Sequence, residues 1–354
     1  MNNLMVDIIV GLQAGDEGKG KVTHHLLSEG GYTHCVRYNG GGNAGHTIYH
    51  DGKKFVTHFI PAGVFFGVKS IIGPGCVLDV DQFFKEIKYL NDGGIETDGL
   101  IYVSKNTHII RKEHFEEDQK DSEIGTTKTG NGPAYRDKYA RKGALAEYCK
   151  LLEPYLIDFY QEMHNNEEEV VALFEGAQGF QLDIDWGDYP YVTSSHCTVA
   201  GALLNGIPSW AVRNVWGVAK AYETYVGAKK FQSDEKVFEK IQEVGKEFGS
   251  TTGRKRQCNW INLDMLMKAI HVNGVTHLIF NKMDVLRDVG QWEIRLNDRS
   301  ESKIVFRSED EMKFYLSKGI KDINIYFSDN PYKIEDDYFF QSSSLTTYSN
   351  RVTF

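Results

Sequence analysis

The chain alternates short apolar runs with amphipathic stretches of helical period. "MVDIIVGL" is a β-branched apolar run ending in glycine and predicts a buried strand. "KVTHHLLSEGG" follows and predicts a helix closed by Gly30 and Gly31. "KSIIGPG" reads as a strand entering a turn. "DVDQFFKEIKYLNDGG" reads as a helix capped by Asp79, with Phe83, Ile87 and Leu90 at i, i+4 and i+7 and Gly93 at its end. "VVALFEGAQG" and "THLIFNKMD" are further apolar runs that stop at polar or glycine-rich turns. "SEDEMKFYLSKG" opens with a capping box from Ser308 to Glu311 and closes at Gly319, and "DINIYFSDNP" is a last strand. Strands alternating with helices predict an α/β fold, a mainly parallel central sheet flanked by helices, with ligand loops at the C-terminal edges of its strands. No internal repeat, low-complexity tract or linker interrupts residues 1–334, which read as one catalytic domain. Residues 335–354 lose periodicity and read as a tail or arm.

Composition narrows the function classes. Of 354 residues 41% are apolar, enough for a large core, and the formal net charge of -9 disfavours nucleic acid or an anionic membrane surface as a partner. Five scattered cysteines without a C-x-x-C pair suit a reducing compartment, and neither a membrane span nor a signal peptide is evident. The expectation is a soluble cytoplasmic protein.

The chemistry concentrates in the turns. "GLQAGDEGKGK" sits where a strand hands over to a helix N-terminus, the usual place for an anion, yet it departs from the G-x-x-x-x-G-K-[ST] spelling. Backbone N–H groups from Gly15 to Gly20 suit phosphate oxygens, Lys19 adds a point charge, and Asp16 can hold a magnesium ion or take a proton. "RYNGGGNAGHT", Arg37 to Thr47, makes a poor strand and a poor helix and predicts an open ligand loop carrying His46, a candidate general acid. "IGTTKTGNGPAYRDKYARKG" offers hydroxyls for a phosphate and Arg141 as a bidentate clamp. In "FEGAQG", Gln178 places an amide at a strand end, able to donate and accept toward a purine edge. "GSTTGRKRQ" presents Thr252, Arg254 and Arg256 as a carboxylate or phosphate grip. "NKMD" places Asp284 where a carboxylate accepts from guanine N1–H and its 2-amino group, favouring GTP over ATP.

In order along the chain, "GDEGKGK", "NAGHT", "IGTT", "GPAY", "EGAQG", "LDID", "YPYVTSS", "KAY", "TTGR" and "NKMD" resemble the adenylosuccinate synthetase family over residues 5–335. The resemblance implies a P-loop-NTPase-like fold with a variant phosphate loop. It implies a C–N ligase that joins L-aspartate to C6 of IMP with GTP and Mg²⁺, giving adenylosuccinate, GDP and phosphate. By that resemblance Asp16, His46, Lys19 and Gln178 are catalytic. Asp16 removes the N1 proton, His46 stabilises charge on the β–γ bridge, and Lys19 neutralises the phosphoryl group. Asn43, Thr127, Gln178, Thr193 and Arg254 hold the monophosphate, with Arg141 reaching in from the second subunit of a homodimer. Thr252, Arg254 and Arg256 hold aspartate. Gly15, Glu17, Gly18, Lys19, Gly20, Gly45, Thr47, Arg256, Lys282, Asp284, Ser328 and Asn330 hold GTP, and Asp16 with the Gly45 carbonyl holds Mg²⁺.

The chain departs from the family pattern at Gly42 in place of a histidine, and at Thr129, Tyr225 and Gln257 in place of arginines. Its length is that of short archaeal and phage members. Phage relatives act on dGMP on the route to 2-aminoadenine, so dGMP stays open as the monophosphate and ATP as the donor, although retention of Asp16 favours IMP. A GTP-binding switch module is disfavoured by the missing threonine or serine after "GK". A catalytically dead homologue is disfavoured by retention of Asp16, Lys19, His46 and Arg254.

Overall fold

A computed structural model describes residues 4–249, 253–297, 302–330 and 334. Nine strands form the central sheet: β1 (Leu4–Gly11), β2 (His34–Arg37), β3 (Lys69–Ile72), β4 (Ile101–Ser104), β5 (Leu156–Ile157), β6 (Val170–Glu175), β7 (Val212–Lys220), β8 (His277–Asn281) and β9 (Asn324–Phe327). Their spatial order is β5-β4-β3-β2-β6-β1-β7-β8-β9, and every neighbouring pair is parallel.

The unbroken apolar runs follow from burial of both sheet faces. In β1, Leu4, Val6, Ile8 and Val10 enter one core while Ile9 enters the other; β6 divides Ala172 and Phe174 from Leu173 in the same way. Helix α1 (Lys19–Ser28) covers the second face with Val22, Leu26 and Leu27. The first face receives Leu266, Ala269 and Ile270 from the later helix Leu263–Asn273. Asp7 interrupts the β1 run as a buried carboxylate, held by Arg213 Nε at 3.0 Å, Arg213 Nη2 at 2.7 Å and the Tyr32 hydroxyl at 2.6 Å.

Helix α2 (Val80–Asp92) takes the predicted cap, the Asp79 carboxylate accepting from Asp81 and Gln82 N–H. Phe83 and Leu90 are buried, but the fully buried position between them is Glu86 rather than Ile87. Its carboxylate accepts from the consecutive N–H groups of His58, Phe59 and Ile60, which no strand satisfies. Helix α3 (Glu309–Gly319) is capped by Ser308 Oγ, which accepts from Glu311 N–H at 3.2 Å; the reciprocal half of the box reaches Arg307 N–H, one residue earlier than expected.

One expectation is corrected. Of the open loop predicted from Arg37 to Thr47, Arg37 closes β2, and His46 and Thr47 begin a hairpin of His46–His50 with Lys53–Thr57. The Asp51-Gly52 turn and the alternation on either side form a hairpin signal that the glycine-rich reading overrode. The tail 335–354 lies outside the described residues. None of the described helices is long and apolar enough to cross a membrane.

Candidate active site

The C-terminal ends of β1, β2, β6, β7 and β8 open onto one cleft of about 1020 Å³. Its floor is the turn between β1 and α1. Glu17 is buried there: Oε1 accepts from Gln13 N–H at 3.2 Å and Gly15 N–H at 2.9 Å, and Oε2 meets Lys19 Nζ at 2.6 Å. Lys19 also donates to the Gln178 carbonyl. The Glu17 side chain is therefore committed to the loop, and only its backbone is left for a ligand. At Gly11 a Cβ would sit 2.6 Å from Glu17 Oε2, so the strand must end in glycine for this carboxylate to enter. Asp16 takes a left-handed φ of 61° and lies 2.8 Å from Arg256 Nε, with 30% of its side-chain surface exposed.

Arg256 also meets buried Glu247 at 2.5 Å, and Glu247 accepts from Lys220 Nζ at 3.2 Å and the Tyr222 hydroxyl at 2.5 Å. Burial alone would raise the Glu247 carboxyl, but Lys220 and Arg256 outweigh it and hold it at about 2. Burial also pushes the Lys220 ammonium down. Asp16 and Glu247 thus share one guanidinium, which places Arg256 where an incoming carboxylate or phosphate would compete for it.

His46 packs behind the floor in a buried cluster. Nε2 lies 3.1 Å from Arg37 Nη1, and because a guanidinium only donates, Nε2 must accept. Nδ1 then carries the proton and faces Glu175. Burial, reinforced by Arg37, lowers His46 to about 4, so the ring is neutral near pH 7. Burial pushes Glu175 up, yet Arg37 and His46 hold it at about 2; its other contacts are Arg37 Nη2 at 2.8 Å and Ala62 N–H at 3.0 Å.

On the β2–β6 side, Asn43 Oδ1 accepts from Gln178 Nε2 at 2.8 Å and Asn131 Nδ2 at 2.6 Å, while Asn43 Nδ2 donates to Thr193 Oγ1 at 3.4 Å. Thr127 Oγ1 lies 2.9 Å from Thr129 Oγ1, and Arg254 Nη1 donates to the Gly125 carbonyl at 3.0 Å. On the opposite side, Lys282 caps helix Met283–Val289 with a φ of 68° and Asp284 lies in its first turn. Burial raises the Asp284 carboxyl. Asn281 Nδ2 donates to the Glu17 carbonyl at 2.8 Å, joining this end to the phosphate loop. Lys21 Nζ donates to Ser328 Oγ at 2.7 Å and the Asn330 carbonyl at 3.0 Å.

The cleft gathers Gly15, Gly18, Gly20, Gly45 and Thr47 with Asp16, Asn43, His46, Thr127, Gln178, Thr193, Arg254, Arg256, Lys282, Asp284 and Asn330, while Arg37, Glu175, Glu247 and Tyr222 do not line it. Ser328 enters through Lys21. Arg141 is exposed and does not line the cleft, and Thr252 lies outside the described residues. Sequence reasoning missed Arg37, Glu175, Lys21, Asn131, Lys220 and Glu247 as parts of the site. Glu175 carried one signal, a carboxylate closing an apolar run. Arg37 and Lys220 are brought in by strand order, and Lys21, Asn131 and Glu247 by helices and the turns beside them.

The family model for adenylosuccinate synthetase matches residues 8–147 and 144–303. The adenylosuccinate synthetase of Chlorobium phaeobacteroides is 38% identical over 79% of this chain and 76% of its own, and that of Caldanaerobacter subterraneus 36% identical over 85% and 83%. Among solved structures, the fully ligated adenylosuccinate synthetase of Plasmodium falciparum superposes with a TM-score of 0.80 at 28% identity, covering 94% of this chain and 99% of its own. The succinoaminodeoxyadenylate synthetase of cyanophage S-2L, solved with dGMP and dATP, gives 0.72 at 19% identity, covering 94% and 95%, and shows the same fold. With the variant phosphate loop, the Asn43–Gln178 network and the Asp284 turn assembled on one sheet edge, this chain belongs to the adenylosuccinate synthetase family of C–N ligases, enzymes that join aspartate to a purine nucleotide.

Proposed function

We propose that the chain catalyses GTP- and Mg²⁺-dependent ligation of L-aspartate to C6 of IMP, giving adenylosuccinate, GDP and phosphate, with residues 1–334 acting as one catalytic domain in the cytoplasm. The observation that carries this reading is the position of Asp16. It lines the cleft with the glycine-rich turn and the Asn43–Gln178 network, its carboxylate 2.8 Å from Arg256 Nε.

The C6 oxygen of a 6-oxopurine leaves only once it is esterified. Asp16 takes the N1 proton, O6 attacks the γ-phosphorus, and the bond to the bridging oxygen breaks to release GDP. The aspartate amine then attacks C6 and inorganic phosphate departs. Lys19 balances charge on the transferred group, exchanging its contact with Gln178 for phosphoryl oxygens. His46 reaches the β–γ bridge only by giving up Arg37 and taking a proton at Nε2. Arg256 grips the aspartate carboxylate together with Arg254 and Thr252, which frees Asp16 for the base. The hydroxyls and amides of Asn43, Thr127, Gln178 and Thr193 hold the monophosphate. Arg141, exposed on its own subunit, serves the partner's cleft in a homodimer. Asp16 and the Gly45 carbonyl are hard oxygen donors at the cleft floor, and the guanidinium already beside Asp16 supports its fitness for a cation; Mg²⁺ there would neutralise triphosphate charge.

A second reading, the same chemistry on dGMP, is favoured by Thr129 and Tyr225, which leave this end of the cleft with two fewer cations than the family pattern. Product formation with GTP, Mg²⁺ and aspartate, offering IMP and dGMP separately, tests both. Turnover of IMP alone establishes the first reading and turnover of dGMP alone the second. GTP hydrolysis independent of aspartate refutes the ligase chemistry.

A further inference from the structure

The lysine that closes "GDEGKGK", Lys21, has no role assigned by that motif and stands at the Asp284 end of the cleft. Lys21 leaves the first turn of α1 toward the ends of β8 and β9 and lines the cleft together with Asp284, Lys282 and Asn330. Two of the three N–H bonds of its ammonium are used among the described residues, on Ser328 Oγ at 2.7 Å and the Asn330 carbonyl at 3.0 Å. The ammonium is thus held by the segment that follows β9, facing the pocket whose other wall is the Asp284 turn.

A guanine whose N1–H and 2-amino group donate to Asp284 presents its 6-oxo group as an acceptor beside that edge, and an acceptor requires a donor opposite. An adenine presents a 6-amino donor at the same place. We propose that Lys21 is a specificity-determining residue, its third N–H selecting triphosphates with a 6-oxopurine base over those with a 6-aminopurine. The inference rests on the reading of this cleft as the triphosphate site. Burial pushes the Lys21 ammonium down to about 7, the attraction of Asp284 and Asp329 only partly offsetting it. Lys282 adds to the lowering, and an acceptor opposite the third N–H, such as a 6-oxo group, would favour the charged form.

The test is calorimetric binding of GTP, ITP and ATP to the full chain without monophosphate or aspartate, for the wild type, Lys21→Met and Lys21→Gln. ITP lacks the 2-amino group, so GTP against ITP reads Asp284 at that group alone; ITP and ATP differ at both N1 and the 6-position, so the Lys21 variants are what separate the 6-position from Asp284. The wild type is expected to bind GTP and ITP at least about tenfold more tightly than ATP. Lys21→Met should weaken GTP and ITP by a similar factor and leave ATP unchanged, while Lys21→Gln, which keeps a donor, should recover part of the loss. Equal weakening of all three triphosphates would reduce Lys21 to a tether between α1 and the β9 loop and overturn the proposal. So would a wild type indifferent to the 6-substituent. The ligase reading is judged separately by aspartate-dependent turnover: turnover without 6-oxo selectivity overturns this inference alone, and selectivity without turnover overturns that reading alone.

Discussion

Replacing Glu17 by glutamine changes one atom at the centre of the phosphate loop. The remaining Oε1 can still accept from the Gln13 and Gly15 N–H groups, but the new amide N–H₂ would point at Lys19 Nζ, where a carboxylate oxygen now lies at 2.6 Å. Breaking one side of a buried ion pair costs about 3–5 kcal/mol. The Gln178 carbonyl still receives Lys19, which argues for the lower end, about 3 kcal/mol. With an unfolding entropy near 2.1 cal/mol/K per residue, 354 residues give about 0.74 kcal/mol/K, so the melting temperature should fall by about 4 °C. Ligand-free scanning calorimetry of Glu17→Gln reads the shift directly. A shift below about 1 °C, accompanied by lost GTP affinity, would refute the reasoning and return the Glu17 side chain to the nucleotide contacts that sequence alone assigned.

Asp16→Asn should lower kcat by about 10²–10⁴-fold while triphosphate affinity by calorimetry without Mg²⁺ changes less than about threefold, because it removes a base but leaves Arg256 held by Glu247. His46 is neutral in the fold at any pH above about 4 and protonates near 6.5 when unfolded. Its depressed value therefore withdraws stability as pH falls from 6.5 toward 4, by about 3 kcal/mol in all. Glu175, held at about 2 against an unfolded 4.5, withdraws more below 4.5. Denaturant midpoints measured across pH 4–7 should flatten in His46→Gln and stay steep if the ring is charged in the fold. Arg141→Leu, exposed on its own subunit, should leave the melting temperature within about 1 °C yet raise the monophosphate KM at least about tenfold. An unchanged KM would exclude it from the partner's site.

The parallel sheet was legible because strands buried on both faces read as unbroken apolar runs, and each of the quoted runs is a strand of it. Helix ends were legible where a side chain caps them, as at Asp79 and Ser308. Glu86 was not, since a carboxylate on an apolar helix face gives no hint that three unpaired N–H groups wait opposite. The site was readable where chemistry is local, in "GDEGKGK" and "NKMD". Arg37 and Glu175 lie 138 positions apart in the chain, and their meeting depends on β2 and β6 being neighbours, which pairing specifies and periodicity does not. The hairpin carrying His46 was obscured by the glycines before it, although its Asp-Gly turn was in plain view.

The bond from the Asn281 amide to the Glu17 carbonyl ties the Asp284 end of the cleft, where the proposed reading seats a base, to the glycine-rich floor. Its neighbourhood has no slack: a Cβ on Gly18 would lie 2.8 Å from the same amide nitrogen. The two ends of the cleft are thus set at a fixed span, like the jaws of a gauge. A nucleotide whose base seats poorly cannot slide to compensate without carrying its terminal phosphate out of line, so a wrong base that does bind should also register as slow transfer.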